Sequence, residues 1–349
     1  MCGIVGYIGD ENATGIIIDG LKKLEYRGYD SSGIALVTKD HQLIVRKKKG
    51  RIANLEELIA GEDLYANLGI GHTRWATHGA PSDVNAHPHT DMSGRIAVVH
   101  NGIVENYLAL KEWLIKEHNV VFKSETDTEI IAQLIGVLYD GDIEEAVRKA
   151  VEKMQGAYGI GVICRDEPDK MIAVRKDSPL IVGLGQGCNF IASDIPALLK
   201  YVRQIYLIEN NEMVVLTAND VKIYNADHEE VHRDVFNVTW DADAAEKEGY
   251  DHFMLKEIHE QPKGIRDTLV RRMDENGEIV LDGIKLTKED IEGFNKVYIV
   301  ACGTAYHAGL IGKFAIEKLA KISVEVDVAS EFRYRDPFID DKTLFIAIS

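Results

Sequence analysis

Apolar and polar positions alternate along this chain in two textures, strand-like and helical. Residues 4–8 form a short apolar run closed by Gly9-Asp10, and Ile17, Leu21 and Leu24 recur at spacings that share one helix face. Short, β-branched runs predict strands at 33–38, 43–47, 68–73 and 95–100, with a short helix at 54–59. Asn101-Gly102, directly after the last strand, reads as a turn dipeptide. Helical periodicity follows at 107–117, 128–139 and 143–154. In the third of these Ile143, Ala146, Val147, Ala150, Val151 and Met154 trace one face. From residue 158 strands return, at 159–164, 171–174, 180–184, 190–193, 204–208, 213–216 and 221–224, interrupted by a short helix at 197–202.

Two groups of strands with helices gathered between them predict an α+β domain over residues 1–238, its helices packed on sheets. Residues 239–290 change character: 240–250 is acidic and polar, 252–272 helical, and 273–286 charged and Gly-punctuated, which reads as an interdomain linker with a helix in it. A second pattern then predicts strands at 297–301, 324–328 and 344–348 and a helix at 308–319. Three strands and one helix do not complete a doubly wound layer, so 291–349 is expected to be a truncated α/β domain.

Charge narrows the function classes. Lys and Arg total 40 against 57 Asp and Glu, a net charge of −17 over 349 residues. Such a chain repels phosphate backbones and anionic lipid, which argues against nucleic acid or a membrane surface as its partner. No apolar stretch approaches the length of a membrane span. The four cysteines, at 2, 164, 188 and 302, match neither a zinc nor a redox spacing and are too few for a disulfide scaffold, so a reducing cytoplasm is expected. His87 and His89 lack a third ligand at sensible spacing and read as loop histidines, so no metal is expected.

Cys2 is the sharpest chemical feature. Removal of Met1 leaves a thiol beside a free α-amino group, which titrates near neutrality and can act as the thiol's own base; the bland alternative is a small buried residue at a strand start. The segment 72–79 sets Arg74, Trp75, Thr77 and His78 at a strand end, where an Arg fork suits a carboxylate and Trp can exclude water. Asn101 and the Gly102 N–H are either a plain turn or a pair of oxyanion donors. Thr126 and Glu129 fit a capping box; Asp127 between them either complements the helix dipole or pairs with a ligand ammonium. Thr304, in a Gly-containing turn between strand and helix, can hold a phosphate or sugar hydroxyl.

Taken together, these blocks resemble the glutamine amidotransferases whose nucleophile is an N-terminal cysteine, in the branch that continues into a sugar-isomerase domain. The carrying motifs are 2–6 (CGIVG), 24–31 (LEYRGYDS), 71–79, 100–103 (HNGI), 124–129 (SETDTE), 256–262 (KEIHEQP), 301–304 (ACGT) and 330–335 (SEFRYR), in register along the whole chain. The resemblance implies a four-layer αββα amidohydrolase domain with an N-terminal nucleophile, followed by an incomplete parallel-sheet isomerase domain. It implies Cys2 as nucleophile on the glutamine amide, Asn101 and Gly102 as oxyanion hole, and Arg74, Thr77 and His78 on the α-carboxylate. Asp127 would take the α-ammonium, Trp75 would lie over the thiol, and Arg27 would support the site from behind. It further implies L-glutamine and fructose 6-phosphate as substrates, glucosamine 6-phosphate as product, no cofactor, and a homodimer for the longer protein. Thr304 and Ser349 would be the sugar-phosphate contacts present. Ala305 stands where the family has Ser, and the family's phosphate loop and isomerisation Lys lie beyond these residues, so glutaminase activity alone is expected here.

Two rival readings remain. An amidophosphoribosyltransferase-type enzyme should show an acidic run entering a Thr-rich loop, which this sequence lacks. A non-catalytic sugar-phosphate-binding module predicts loss of Cys2 or Arg74, and both are present.

Overall fold

The computed structural model describes residues 2–76, 79–239, 250–270, 272–274, 277, 279–281 and 283–348. Thr77, His78 and Ser349, and the acidic stretch 240–249 of the expected linker, lie outside the described residues. The chain divides into two compact units, Met1–Lys256 and Glu257–Ser349.

In chain order the first unit contains β1 (Gly3–Gly9), α1 (Ala13–Leu24), β2 (Ser31–Val37), β3 (Leu43–Lys49), α2 (Ile52–Ile59), β4 (Leu68–Arg74), β5 (His89–Thr90) and β6 (Ile96–Val104). Three helices follow, α3 (Tyr107–His118), α4 (Asp127–Leu138) and α5 (Ile143–Lys153). The strands then resume as β7 (Gly156–Cys164), β8 (Met171–Lys176), β9 (Ile181–Leu184), β10 (Cys188–Ala192), β11 (Gln204–Leu207), β12 (Glu212–Leu216), β13 (Val221–Tyr224), β14 (Glu230–Val231) and β15 (Phe236–Asn237).

Among the described residues these strands form two antiparallel sheets, β15-β11-β9-β10-β1-β4-β2-β3 and β14-β13-β12-β8-β7-β6-β5. The period-2 alternation of a strand decides what each face meets. Val5 and Tyr7 of β1, with Ile34 and Leu36 of β2, pack with Ile17 and Leu21 of α1. Their neighbours Ile4, Ile8, Ala35 and Val37 turn the other way and meet Val99, Ala173 and Val214 of the second sheet. That sheet's outer side, through Ile96, Val98, Ile160 and Val162, buries Leu114, Ile131, Leu134 and Val147 of α3, α4 and α5. The result is the helix–sheet–sheet–helix stack. Burial on both faces explains why these antiparallel strands read as continuous apolar runs rather than alternating ones.

Three local expectations are corrected. Asn101-Gly102 is not a turn: β6 runs through it, with Asn101 opposite Gly159 and Gly102 opposite Tyr158. The helix expected at 197–202 is a single 3-10 turn at Ile195–Ala197. Thr126 does cap α4, accepting from the Glu129 N–H, but the Glu129 carboxylate accepts from the N–H groups of Lys123 and Ser124, so the reciprocal half of the box is displaced upstream.

The second unit carries α7 (Lys288–Gly293), β16 (Lys296–Ala301), α8 (Gly303–Leu319), β17 (Ser323–Val328), α9 (Ala329–Phe332) and β18 (Thr343–Ile348); α6 (Phe253–Val270) precedes them and spans the point of division. Its three strands are parallel in the order β17-β16-β18, with Val297, Ile299 and Val324 at the core. Cys302 is the N-cap of α8, and the expected turn at 302–304 is therefore already the first helical turn. Among the described residues no helix is long and apolar enough to cross a membrane.

Candidate functional site

Five of the residues singled out converge at one end of the first unit's sheets. Cys2 precedes β1, Arg74 ends the adjacent β4, Asn101 and Gly102 lie in β6 of the facing sheet, and Asp127 opens α4. The Cys2 Sγ accepts the Trp75 N–H at 3.2 Å, which ties the thiol to the loop leaving β4. The Asn101 Nδ2 donates to the Cys2 carbonyl at 3.0 Å, bridging the two sheets at the thiol residue itself. Gly102 holds a φ of +128°, and a Cβ there would stand 2.0 Å from the Ala157 carbonyl oxygen. Only glycine fits, and the strand can carry a donor pair past Asn101 without a side chain in the way.

The Arg74 guanidinium is 3% exposed and donates through Nη2 to the Gly79 carbonyl at 3.0 Å. Burial pulls it below its usual range, opposed by the negative charge of Asp30, Cys2 and Asp127. Asp127 is buried as well; its Oδ2 accepts the Val104 N–H at 3.0 Å and lies 4.0 Å from His100 Nδ1. A buried cation within electrostatic reach of both the thiol and a buried carboxylate forms an arrangement suited to a zwitterionic amino acid. Trp75 adjoins the thiol residue. Its backbone reaches the thiol, while its ring is 47% exposed and stands edge-on to Tyr29 at 5.5 Å.

Arg27 pairs with Asp194 at 2.6 Å, and Tyr26 donates to the same carboxylate at 2.8 Å. The adjoining Gly28 packs so closely that a Cβ would meet the Arg74 carbonyl carbon at 2.6 Å, which puts this segment behind the Arg74-Trp75 loop. Thr304 stands exposed in the first turn of α8, in the other unit.

Sequence reasoning gave no individual role to three residues in and around the site. The Asp30 carboxylate accepts the Ala76 N–H, and its own N–H donates to the Arg74 carbonyl at 3.2 Å, fixing the loop that carries Arg74 and Trp75. Lys47 donates to the carbonyls of Val84 (2.9 Å) and Ala86 (2.8 Å), and burial pulls its ammonium down to about 8. His72, buried in β4, bonds Asn101. It belongs to a layer of four buried imidazoles: His72 stacks on His87 at 4.1 Å, His87 meets His89 at 5.0 Å, His89 bonds Thr126, and His100 bonds Thr128. The loop reading of His87 and His89 is thereby corrected to a core reading. Burial lowers all four below the ordinary imidazole range, so the layer is neutral at pH 7. Among the described residues no His, Cys, Asp and Glu cluster is arranged to hold a metal.

The thiol itself is weakly acidic here. Burial pushes Cys2 up, and this outweighs the Trp75 N–H and the Arg74 charge that favour the thiolate. Below its raised value the group is a neutral thiol, so reaction at pH 7 needs a base at the site. Alkylation of Cys2 by iodoacetamide, without glutamine, is expected to keep accelerating through pH 9; a plateau reached by about pH 8, the ordinary thiol range, would contradict this.

Comparisons with known proteins converge on the same composition. Residues 72–200 match the glutamine amidotransferase domain and residues 291–349 the SIS domain. The whole chain is 59% identical to a glutamine–fructose-6-phosphate aminotransferase (isomerizing) of Clostridium tetani and 53% identical to one of Aquifex aeolicus, covering 57% of each relative. The chain thus spans little more than half the length of these relatives. Among solved structures, glutamine phosphoribosylpyrophosphate amidotransferase from B. subtilis aligns over 93% of this chain and 65% of its own, at 19% identity and a TM-score of 0.60, a likeness of fold.

Proposed function

We propose, of a chain that carries a glutamine amidotransferase domain and from residue 291 a SIS domain, that it hydrolyses the side-chain amide of L-glutamine through a thioester on Cys2. The observation that carries this reading is the Asn101 amide donating to the Cys2 carbonyl, with a buried Arg74 whose charge feels both the Cys2 thiol and the buried Asp127 carboxylate.

In this reading Arg74 binds the glutamine α-carboxylate and Asp127 the α-ammonium, with Thr77 and His78 completing the carboxylate contacts and Arg27 supporting the loop. Each end of a free amino acid then meets one opposite charge, and the side-chain amide is delivered to Cys2. The α-amino group of Cys2 takes the thiol proton as Sγ attacks the amide carbon. The tetrahedral oxyanion is held by the Asn101 Nδ2–H and the Gly102 N–H. Collapse expels ammonia, with the proton returned by the amine, and leaves a γ-glutamyl thioester; water attacks it to release glutamate and the thiol. In the longer protein the ammonia passes to fructose 6-phosphate to give glucosamine 6-phosphate, with Trp75 helping to retain it and Thr304 and Ser349 contributing to the sugar-phosphate site. That protein is a cytoplasmic homodimer in this reading. Its domains are an amidotransferase domain at 1–238, a linker at 239–290 and the start of the isomerase domain at 291–349. The division of the compact units between Lys256 and Glu257, inside the linker, supports it.

A thioester partitions between water and added nucleophiles. In the presence of hydroxylamine, glutamine is expected to yield γ-glutamyl hydroxamate at the expense of glutamate. Glutamate formed with no hydroxamate at any hydroxylamine concentration would exclude the covalent route.

A further inference from the structure

We propose that His72 is a positioning residue whose Nε2–H sets which end of the Asn101 amide is turned toward Cys2. The proposal deepens the reading above, because it rests on the Asn101 amide serving the oxyanion.

The hydrogen-bond chemistry leaves one arrangement. The Nε2 atom of His72 lies 3.1 Å from the His100 backbone carbonyl and 3.0 Å from the Asn101 side chain. A carbonyl oxygen can only accept, so Nε2 carries the proton, and the amide atom facing it must be the other acceptor, Oδ1. The amide nitrogen is thereby committed to the opposite side, where it donates to the Cys2 carbonyl. A flipped amide would set N–H against N–H at His72 and oxygen against oxygen at Cys2. It would also present a lone pair to the developing oxyanion in place of a donor.

The surroundings hold the imidazole in that tautomer. His72 is buried, so its ring stays neutral and carries a single proton. Its Nδ1 is buried and has no hydrogen-bond partner among the described residues, so no acceptor draws the proton to that side. The His87 ring stacked at 4.1 Å fixes the imidazole plane. The Cys2 carbonyl at one end of the amide and the His72 N–H at the other select the same orientation, and His72 holds the oxygen end.

The test joins a spectroscopic and a kinetic readout on the whole chain. Nitrogen-15 NMR of histidine-labelled protein, with His72 assigned through His72→Gln, is expected to show Nε2 protonated and Nδ1 bare at pH 7. For glutamate release, His72→Ala is expected to lower kcat about 10²-fold, the size of a lost oxyanion donor, with KM within about threefold. His72→Gln, which restores an N–H donor, is expected to recover about tenfold of that loss. Unchanged Cys2 alkylation in both variants establishes that the site is assembled. A protonated Nδ1 in the wild type, or a His72→Ala variant with unaltered kcat, overturns the proposal. A wild type that releases no glutamate overturns instead the functional reading, and the tautomer measurement then decides the positioning role by itself.

Discussion

Replacing Arg74 with alanine is expected to raise the KM for glutamine about 10²-fold, equivalent to nearly 3 kcal/mol and within the range for truncating one partner of a buried charge pair. The guanidinium is buried beside Asp30, Cys2 and Asp127, so its removal leaves two carboxylates without their nearby cation. Loss of that positive charge also pushes the Cys2 thiol further up, because Arg74 is one of the groups holding it down. The kcat should therefore fall as well, but by less. Arg74→Lys keeps the charge and loses the planar fork, and should fall between wild type and alanine, with KM raised about tenfold. Initial rates across glutamine concentrations separate the two effects. If KM is unchanged and only kcat falls, Arg74 serves the thiol and does not hold the α-carboxylate.

Much of the stack was legible in the sequence because its strands are buried on both faces and stand out as short apolar runs, as in Ile96-Ala97-Val98-Val99. The helix α5 was equally plain, since its apolar stripe faces the sheet along its whole length. What failed was local inference about a non-local pairing. Asn101-Gly102 carries the composition of a turn, yet the ladder to Gly159 and Tyr158, more than 50 positions away, pulls it into a strand. The helix expected at 197–202 failed for a related reason, its apolar residues being spent on the sheet core rather than on a helical face.

The same distinction divides the site. Cys2, Asn101 and Asp127 each had a plainer structural reading when taken singly, and it was the ordered set of motifs, read as a resemblance, that nominated them together with Arg74. His72 and Asp30 act on the site through bonds to residues 29 and 46 positions away, and local composition does not reveal those pairings. His87 and His89 read as loop residues because no third ligand stands at sensible spacing in the sequence, whereas their burial comes from distant partners, Thr126 on His89 and the Lys47 clamp on the adjoining carbonyls. Supporting residues of this kind become visible only once the sheets face each other.

The largest effect belongs to Cys2. Cys2→Ala keeps the α-amino group and a small apolar side chain, and loses only the sulfur and its contact with the Trp75 N–H, a bond worth about 1 kcal/mol to the fold. The variant should fold and still bind glutamine through Arg74 and Asp127. It should lose the covalent route altogether, lowering glutamate release by at least about 10⁴-fold. Comparing glutamate release from L-glutamine by the wild type, its mass confirming removal of Met1, with release by Cys2→Ala tests the account most directly. Release by the wild type and its collapse in the variant is the expected result; no release by the processed wild type, or equal rates in the two proteins, would contradict it.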